Sequence, residues 1–103
     1  MRKLQFFLFC LAAAFLSQTL VAQNISVTGV VTDAATGESV PFASIQVKGT
    51  MTGASADADG NYAISVPKNA TLVFSSIGYI NQEVIVDGRT VINVMLAPDT
   101  ESL

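Results

Sequence analysis

Between Ile25 and Leu96 the apolar residues recur with a period of two, in short runs separated by turn-forming residues. Ile25, Val27, Gly29 and Val31 share one parity, with Ser26, Thr28 and Thr32 on the other. Ala43, Ile45 and Val47 alternate with Ser44, Gln46 and Lys48, and Tyr62, Ile64 and Val66 alternate with Asn61, Ala63 and Ser65. Leu72 and Phe74, then Val84 and Val86, then Ile92, Val94 and Leu96 continue the series. An extended strand sends successive side chains to opposite faces, so each run describes a strand with one apolar face. The gaps at Asp33 to Glu38, Gly49 to Gly53, Asp57 to Asn61, Pro67 to Ala70 and Asp87 to Thr90 hold the residues that reverse a chain. No window in this stretch carries the spacing of an amphipathic helix. A strand cannot bury its apolar face alone, and two sheets packed face to face can. The expected fold is all-β: a small Greek-key β-sandwich of six to seven short antiparallel strands, immunoglobulin-like or transthyretin-like. Its core is expected to hold Ile45, Val47, Tyr62, Ile64, Leu72, Phe74, Ile92 and Val94.

The residues before this stretch read differently. Arg2 and Lys3 precede an uncharged, mostly apolar run from Leu4 to Leu16, followed by Ser17-Gln18-Thr19 and Leu20-Val21-Ala22. That is the order of a secretory signal, and the run is shorter than the roughly 20 apolar residues of a membrane span. Residues 1–22 are therefore expected to be a signal peptide cleaved between Ala22 and Gln23, with cleavage after Gln23 as the alternative. Residues 23–97 form the domain and 98–103 a C-terminal linker. Cys10 follows Phe9 in the middle of the apolar run, which is the wrong context for lipidation. The chain is expected to be exported.

Beyond Gln23 the charges are Lys48, Lys68 and Arg89 against Asp33, Glu38, Asp57, Asp59, Glu83, Asp87, Asp99 and Glu101, a net of minus five. Such a surface repels phosphate backbones, so no nucleic-acid partner is expected. The sole cysteine lies in the signal, which leaves the mature chain without a disulfide and dependent on burial for stability. The chain contains no histidine, so the usual Ser-His and Cys-His nucleophile pairs are excluded by inventory. No catalytic residue and no cofactor are expected.

One stretch looks like chemistry. Ser55-Ala-Asp-Ala-Asp-Gly-Asn-Tyr62 sets Asp57, Asp59 and Asn61 beside Gly60, as a calcium loop does. With Gly60 at the sixth position of such a loop, Asp57 and Asp59 fall at the third and fifth. Val66 then occupies the twelfth, where a bidentate glutamate is needed. Tyr62, Ile64 and Val66 continue as a strand and not as a helix. Asp57, Asp59 and Asn61 are thus weak metal candidates, and Asp57, Asp59, Gly60 and Asn61 are read as a hairpin turn.

Five segments carry a family resemblance: V-T-G-V-V-T-D, T-G-E-S-V-P-F-A-S-I-Q-V-K-G-T, D-A-D-G-N-Y-A-I-S-V, L-V-F-S-S-I-G-Y and I-N-V-M-L. In this order and spacing they resemble the carboxypeptidase-regulatory-like domain, from about Ile25 to Leu96. A signal peptide leading directly into that domain resembles the front of the SusC/RagA-type TonB-linked outer-membrane receptors. There the domain precedes a TonB box, a plug and a barrel that imports glycans or peptides. The resemblance implies a non-enzymatic accessory domain on the periplasmic face of the outer membrane. Its partner would be a protein of the import machinery or the rest of the receptor. The chain reaches Leu103 without a box, plug or barrel, and is read as a truncated receptor or fragment whose only membrane association would come through that barrel. The alternative is a free-standing secreted sandwich that binds a glycan or peptide. Transthyretin-like hydrolases use histidine, so their activity does not carry over. The uncharged first strand (Ile25 to Thr32) and last strand (Val91 to Leu96) are expected at sheet edges, open to strand addition.

Overall fold

The computed structural model describes residues 24–99. The signal peptide, its cleavage between Ala22 and Gln23, and residues 100–103 of the expected linker lie outside the described residues. Seven strands form, six of them where the alternation places them and the short β3 in addition, where the expected turn at Gly49 to Gly53 ends: β1 (Asn24–Asp33), β2 (Ser44–Val47), β3 (Gly53–Ser55), β4 (Asn61–Pro67), β5 (Thr71–Ser75), β6 (Gln82–Ile85) and β7 (Val94–Leu96). They make a three-stranded sheet in the order β4-β1-β7 and a four-stranded sheet in the order β3-β2-β5-β6. No helix occurs among the described residues. The chain changes sheet between β1 and β2, β3 and β4, β4 and β5, and β6 and β7. Each change lets a strand present its apolar parity to the opposite layer.

Two expectations about pairing are corrected. The ladder is antiparallel except between β1 and β7, which run parallel with Val31 opposite Val94. β7 arrives from the other sheet by a crossing connection, so no hairpin imposes the antiparallel direction. β1 was expected at an edge and is instead the middle strand of its sheet, paired with β4 on one side and β7 on the other.

All eight residues expected in the core are buried. Val27, Val31, Val66, Val86 and Leu96 join them, with Val40, Ala43 and Ala56 closing the corners. Phe74 of β5 meets Tyr62 of β4 edge to face, with ring centroids 5.3 Å apart at 74°, so one aromatic pair spans the two sheets. The hydroxyl of Tyr62 is satisfied within the core by donating to the Ile92 carbonyl at 2.6 Å. Gly29 makes that arrangement possible. A Cβ there would lie 1.9 Å from the Ile92 oxygen and 2.9 Å from Tyr62 Cε1, so only a residue without a side chain fits.

Candidate functional site

Asp57 sits where β3 ends in one sheet and β4 begins in the other. Its amide donates to the Asn61 carbonyl at 2.8 Å, and its carbonyl accepts from Gly60 and Phe42, both at 3.1 Å. Its Oδ1 accepts from the amides of Asp59 and Asn61, both at 2.9 Å. Gly60 has a φ of 81°, and a Cβ there would stand 2.6 Å from the Val31 carbonyl oxygen. The residues do reverse the chain, but the strands they join are not paired: β3 pairs with β2 and β4 with β1. The expected hairpin is therefore a corner between the sheets. The local chemistry of an aspartate-glycine turn is the same in both cases, and only the long-range pairing separates them. Asp59 contributes its amide to the corner and its carboxylate to none of these bonds. No group of three or more histidine, cysteine, aspartate or glutamate residues suited to a metal occurs among the described residues.

The Asp57 carbonyl holds Phe42, whose φ of 58° is in the left-handed region that bulky residues avoid. Phe42 is 69% exposed and Ile77 fully exposed. With Pro41, Ser44, Ser75 and Ser76 they line an open groove of about 540 Å³ at one end of the β2-β5 pair. Backbone strain at an exposed aromatic beside a second exposed apolar residue makes this groove the candidate interaction site. Sequence reasoning missed it, although parity carried the signal: Phe42 precedes the inward Ala43 and shares the outward set of Ser44 and Gln46.

A second cluster gathers where the described chain ends. The amide of Ile80 donates to the Ala97 carbonyl at 2.9 Å, and that of Asp99 donates to the Gly78 carbonyl at 2.9 Å. The first two residues of the expected linker, Pro98 and Asp99, are thus fastened to the β5-β6 loop, with Tyr79 bridged to Pro98. Tyr79 donates its hydroxyl to Asp33 Oδ2 at 2.7 Å, while Asp33 Oδ1 accepts from the amides of Ala35 and Thr36. The Tyr79 hydroxyl, aided by the Ala35 amide, holds the Asp33 carboxyl below its usual value. The same bond to Asp33, with some desolvation, pushes the Tyr79 phenol up. Burial pushes Tyr62 up to about 12, against a small opposing pull from Arg89. Tyr62 and Tyr79 are each committed to an internal bond and Phe74 is buried, so among the described residues Phe42 is the aromatic ring left for an outside partner.

The profile of the CarboxypepD_reg-like domain matches residues 27–103. The TonB-dependent receptor SusC of Bacteroides thetaiotaomicron is 45% identical over 96 residues, covering 93% of this chain and 9% of that protein. TonB-dependent receptor P3 of Formosa agariphila is 43% identical over 83 residues, covering 80% of this chain and 8% of that protein. The chain thus spans less than a tenth of the length of these relatives. A two-sheet, seven-stranded sandwich with that profile over most of its length belongs to the CarboxypepD_reg-like domain family.

Proposed function

We propose that this domain is a non-enzymatic accessory module of a TonB-dependent outer-membrane receptor, exported and held on the periplasmic side. It would contact a protein of the import machinery or the rest of the receptor. The observation that carries this reading is the identity of more than 40% to two TonB-dependent receptors over most of the chain. The geometry agrees with it. The chain leaves the sandwich alongside the loop that carries Ile77, so an apolar contact surface and the point of exit share one region. Among the described residues no helix is long and apolar enough to cross a membrane, so membrane attachment would come from other parts of a receptor. Transport would reside there too, and its substrate class would be the glycan or peptide of that receptor.

The test is an in-frame deletion of residues 24–99 from the receptor that carries them, with outer-membrane insertion and nutrient uptake measured separately. The expected result is a receptor that still inserts and takes up less nutrient. Uptake equal to that of the intact receptor would sink the proposal. The free-standing alternative, a module that binds a glycan or peptide by itself, draws on the Phe42 groove. It predicts saturable binding of such a ligand by the purified chain, abolished by Phe42→Ala.

A further inference from the structure

A sheet edge presents unpaired N–H and C=O groups that can template another strand, and proteins usually obstruct it. The four edges of this sandwich are treated unequally. On β6, Arg89 Nη2 donates to the Ile85 carbonyl and Arg89 Nε to the Val86 carbonyl at 3.1 Å, while Glu83 carries a charge paired with Lys48 at 2.6 Å. Just beyond β7, the Ala97 carbonyl is taken by the Ile80 amide and Tyr79 bridges Pro98, so a loop covers that end. β3 is only 3 residues long. β4 has 7 residues and no charge, and no described group bonds to the middle of its outer edge.

The bonding parity says which groups that edge offers. Val31 donates to the Gly60 carbonyl, and Val30 lies opposite Asn61. In an antiparallel ladder the bonded pairs then alternate through Tyr62, Ile64 and Val66, whose backbone groups face β1. Those of Asn61, Ala63, Ser65 and Pro67 face outward. Asn61 is already satisfied at both groups by Asp57. Pro67 has no N–H, and its carbonyl accepts from Ala70 at 3.0 Å. The open window therefore contains the N–H and C=O of Ala63 and the N–H and C=O of Ser65.

We infer that this window pairs with the same window of a second copy of the chain, antiparallel about a two-fold axis at Ile64. The window is complementary to itself. Ala63 of one copy falls opposite Ser65 of the other, and the two pairs exchange all the open donors and acceptors. Asn61 and Pro67 bound the window with no backbone group left unmatched, and because Asp57 already lies along the outer edge at Asn61 the paired segment is confined to Ala63 through Ser65. Lys68, one residue past β4, then points past the end of the paired segment towards the Asp57–Gly60 corner of the second copy, near the carboxylates of Asp57 and Asp59. Each end of the junction therefore joins a cation to an acidic corner. The outward side chains along the seam are small, and Ile64, the most exposed of the inward residues of β4 at 7%, meets its counterpart. The product is a six-stranded sheet in the order β7-β1-β4-β4-β1-β7. One short strand per copy covers far less than the roughly 1,600 Å² of a standard interface, so the association is weak and concentration-dependent. The inference stands on the edge chemistry and does not rest on the receptor reading.

Sedimentation equilibrium of the purified chain under reducing conditions, from about 10 μM to 1 mM, tests it. The expected behaviour is a reversible monomer-dimer equilibrium. Ser65→Pro removes one donor per copy from the seam and leaves the β1 ladder intact, because the Ser65 amide points outward. It should weaken association about thirty-fold, from two lost hydrogen bonds of ordinary strength. Lys68→Glu, on an exposed turn where folding is unaffected, should weaken it as well, and Asp59→Lys combined with Lys68→Glu should restore it. A monomer at every concentration overturns the inference and leaves the edge to an extended peptide from another polypeptide. A dimer indifferent to the charge reversals overturns it equally.

Discussion

Asp57 holds the corner through both its backbone and one side-chain oxygen, whereas the Asp59 carboxylate takes no part in it. The two aspartates look equivalent in sequence, so their substitutions separate a turn from a metal loop. Asp57→Ala should cost about 0.5–2 kcal/mol, as loss of a capping acceptor does, and Asp59→Ala no more than about 0.5 kcal/mol. Chemical denaturation measures both. Calcium added to the purified chain should leave its Tm unchanged, since a ligand of the native state would raise it with concentration. A second residue-scale prediction concerns Gly29. Its hydrogen stands where a methyl group would lie 1.9 Å from the Ile92 oxygen, so Gly29→Ala must push β1 away from the backbone at Ile92, and it crowds the Tyr62 ring as well. The expected outcome is a loss of more than about 3 kcal/mol, seen as a chain largely unfolded at 37 °C. A folded variant with the wild-type Tm would contradict the close approach.

Elements were legible to different depths, and the division follows the range of the forces involved. Parity is local, so the inward faces of β2, β4, β5 and β7 could be read from single runs such as Tyr62-Ile64-Val66. Phe74→Ala should cost about 3–5 kcal/mol by emptying the space against Tyr62, with the largest loss of amide protection in β4 and β5. Pairing is not local. Nothing within Ile25 to Thr32 says that β1 lies between β4 and β7, and nothing within Asp57 to Asn61 says that its flanking strands part to different sheets. The candidate surface was half legible for the same reason. The turn announced itself through aspartate and glycine, whereas parity marks Phe42 as outward but not its left-handed backbone, which shows once the corner brings the Asp57 carbonyl to its amide. Asn93 shows the limit of parity from another side. By parity with Ile92 and Val94 it points outward, yet its Oδ1 accepts the Val30 amide at 3.0 Å where the β1-β7 ladder is interrupted. A lysine there would remove a structural bond, so Asn93 is not a neutral surface position.

For the whole molecule, two tyrosines fasten distant parts of the chain, and both make stability depend on pH. Tyr79 joins the loop beside the exit segment to Asp33 at the end of β1. The Asp33 carboxyl is held below its unfolded value of 3.8, so its contribution is present above that pH. It is lost as pH falls through the depressed folded value. Tyr62 works at the other limit. Its phenol rises from 10.0 to about 12 on burial, so the neutral form is favoured in the fold. That contribution is present below pH 10 and is lost as pH climbs towards 12, where the buried phenol would have to ionise. Tm should therefore run flat from about pH 5 to 9 and fall on both sides. Tyr79→Phe should flatten the acid limb, because the carboxyl of Asp33 loses the hydroxyl that favours its charged form. Tyr62→Phe should lower the plateau by about 1–3 kcal/mol, because the buried Ile92 carbonyl loses its donor. It should also shallow the alkaline limb, leaving the part due to Tyr79, whose phenol is likewise raised. Tm followed by circular dichroism across this range reads all three changes, and an alkaline limb unaltered in Tyr62→Phe would show that burial of this phenol does not set it.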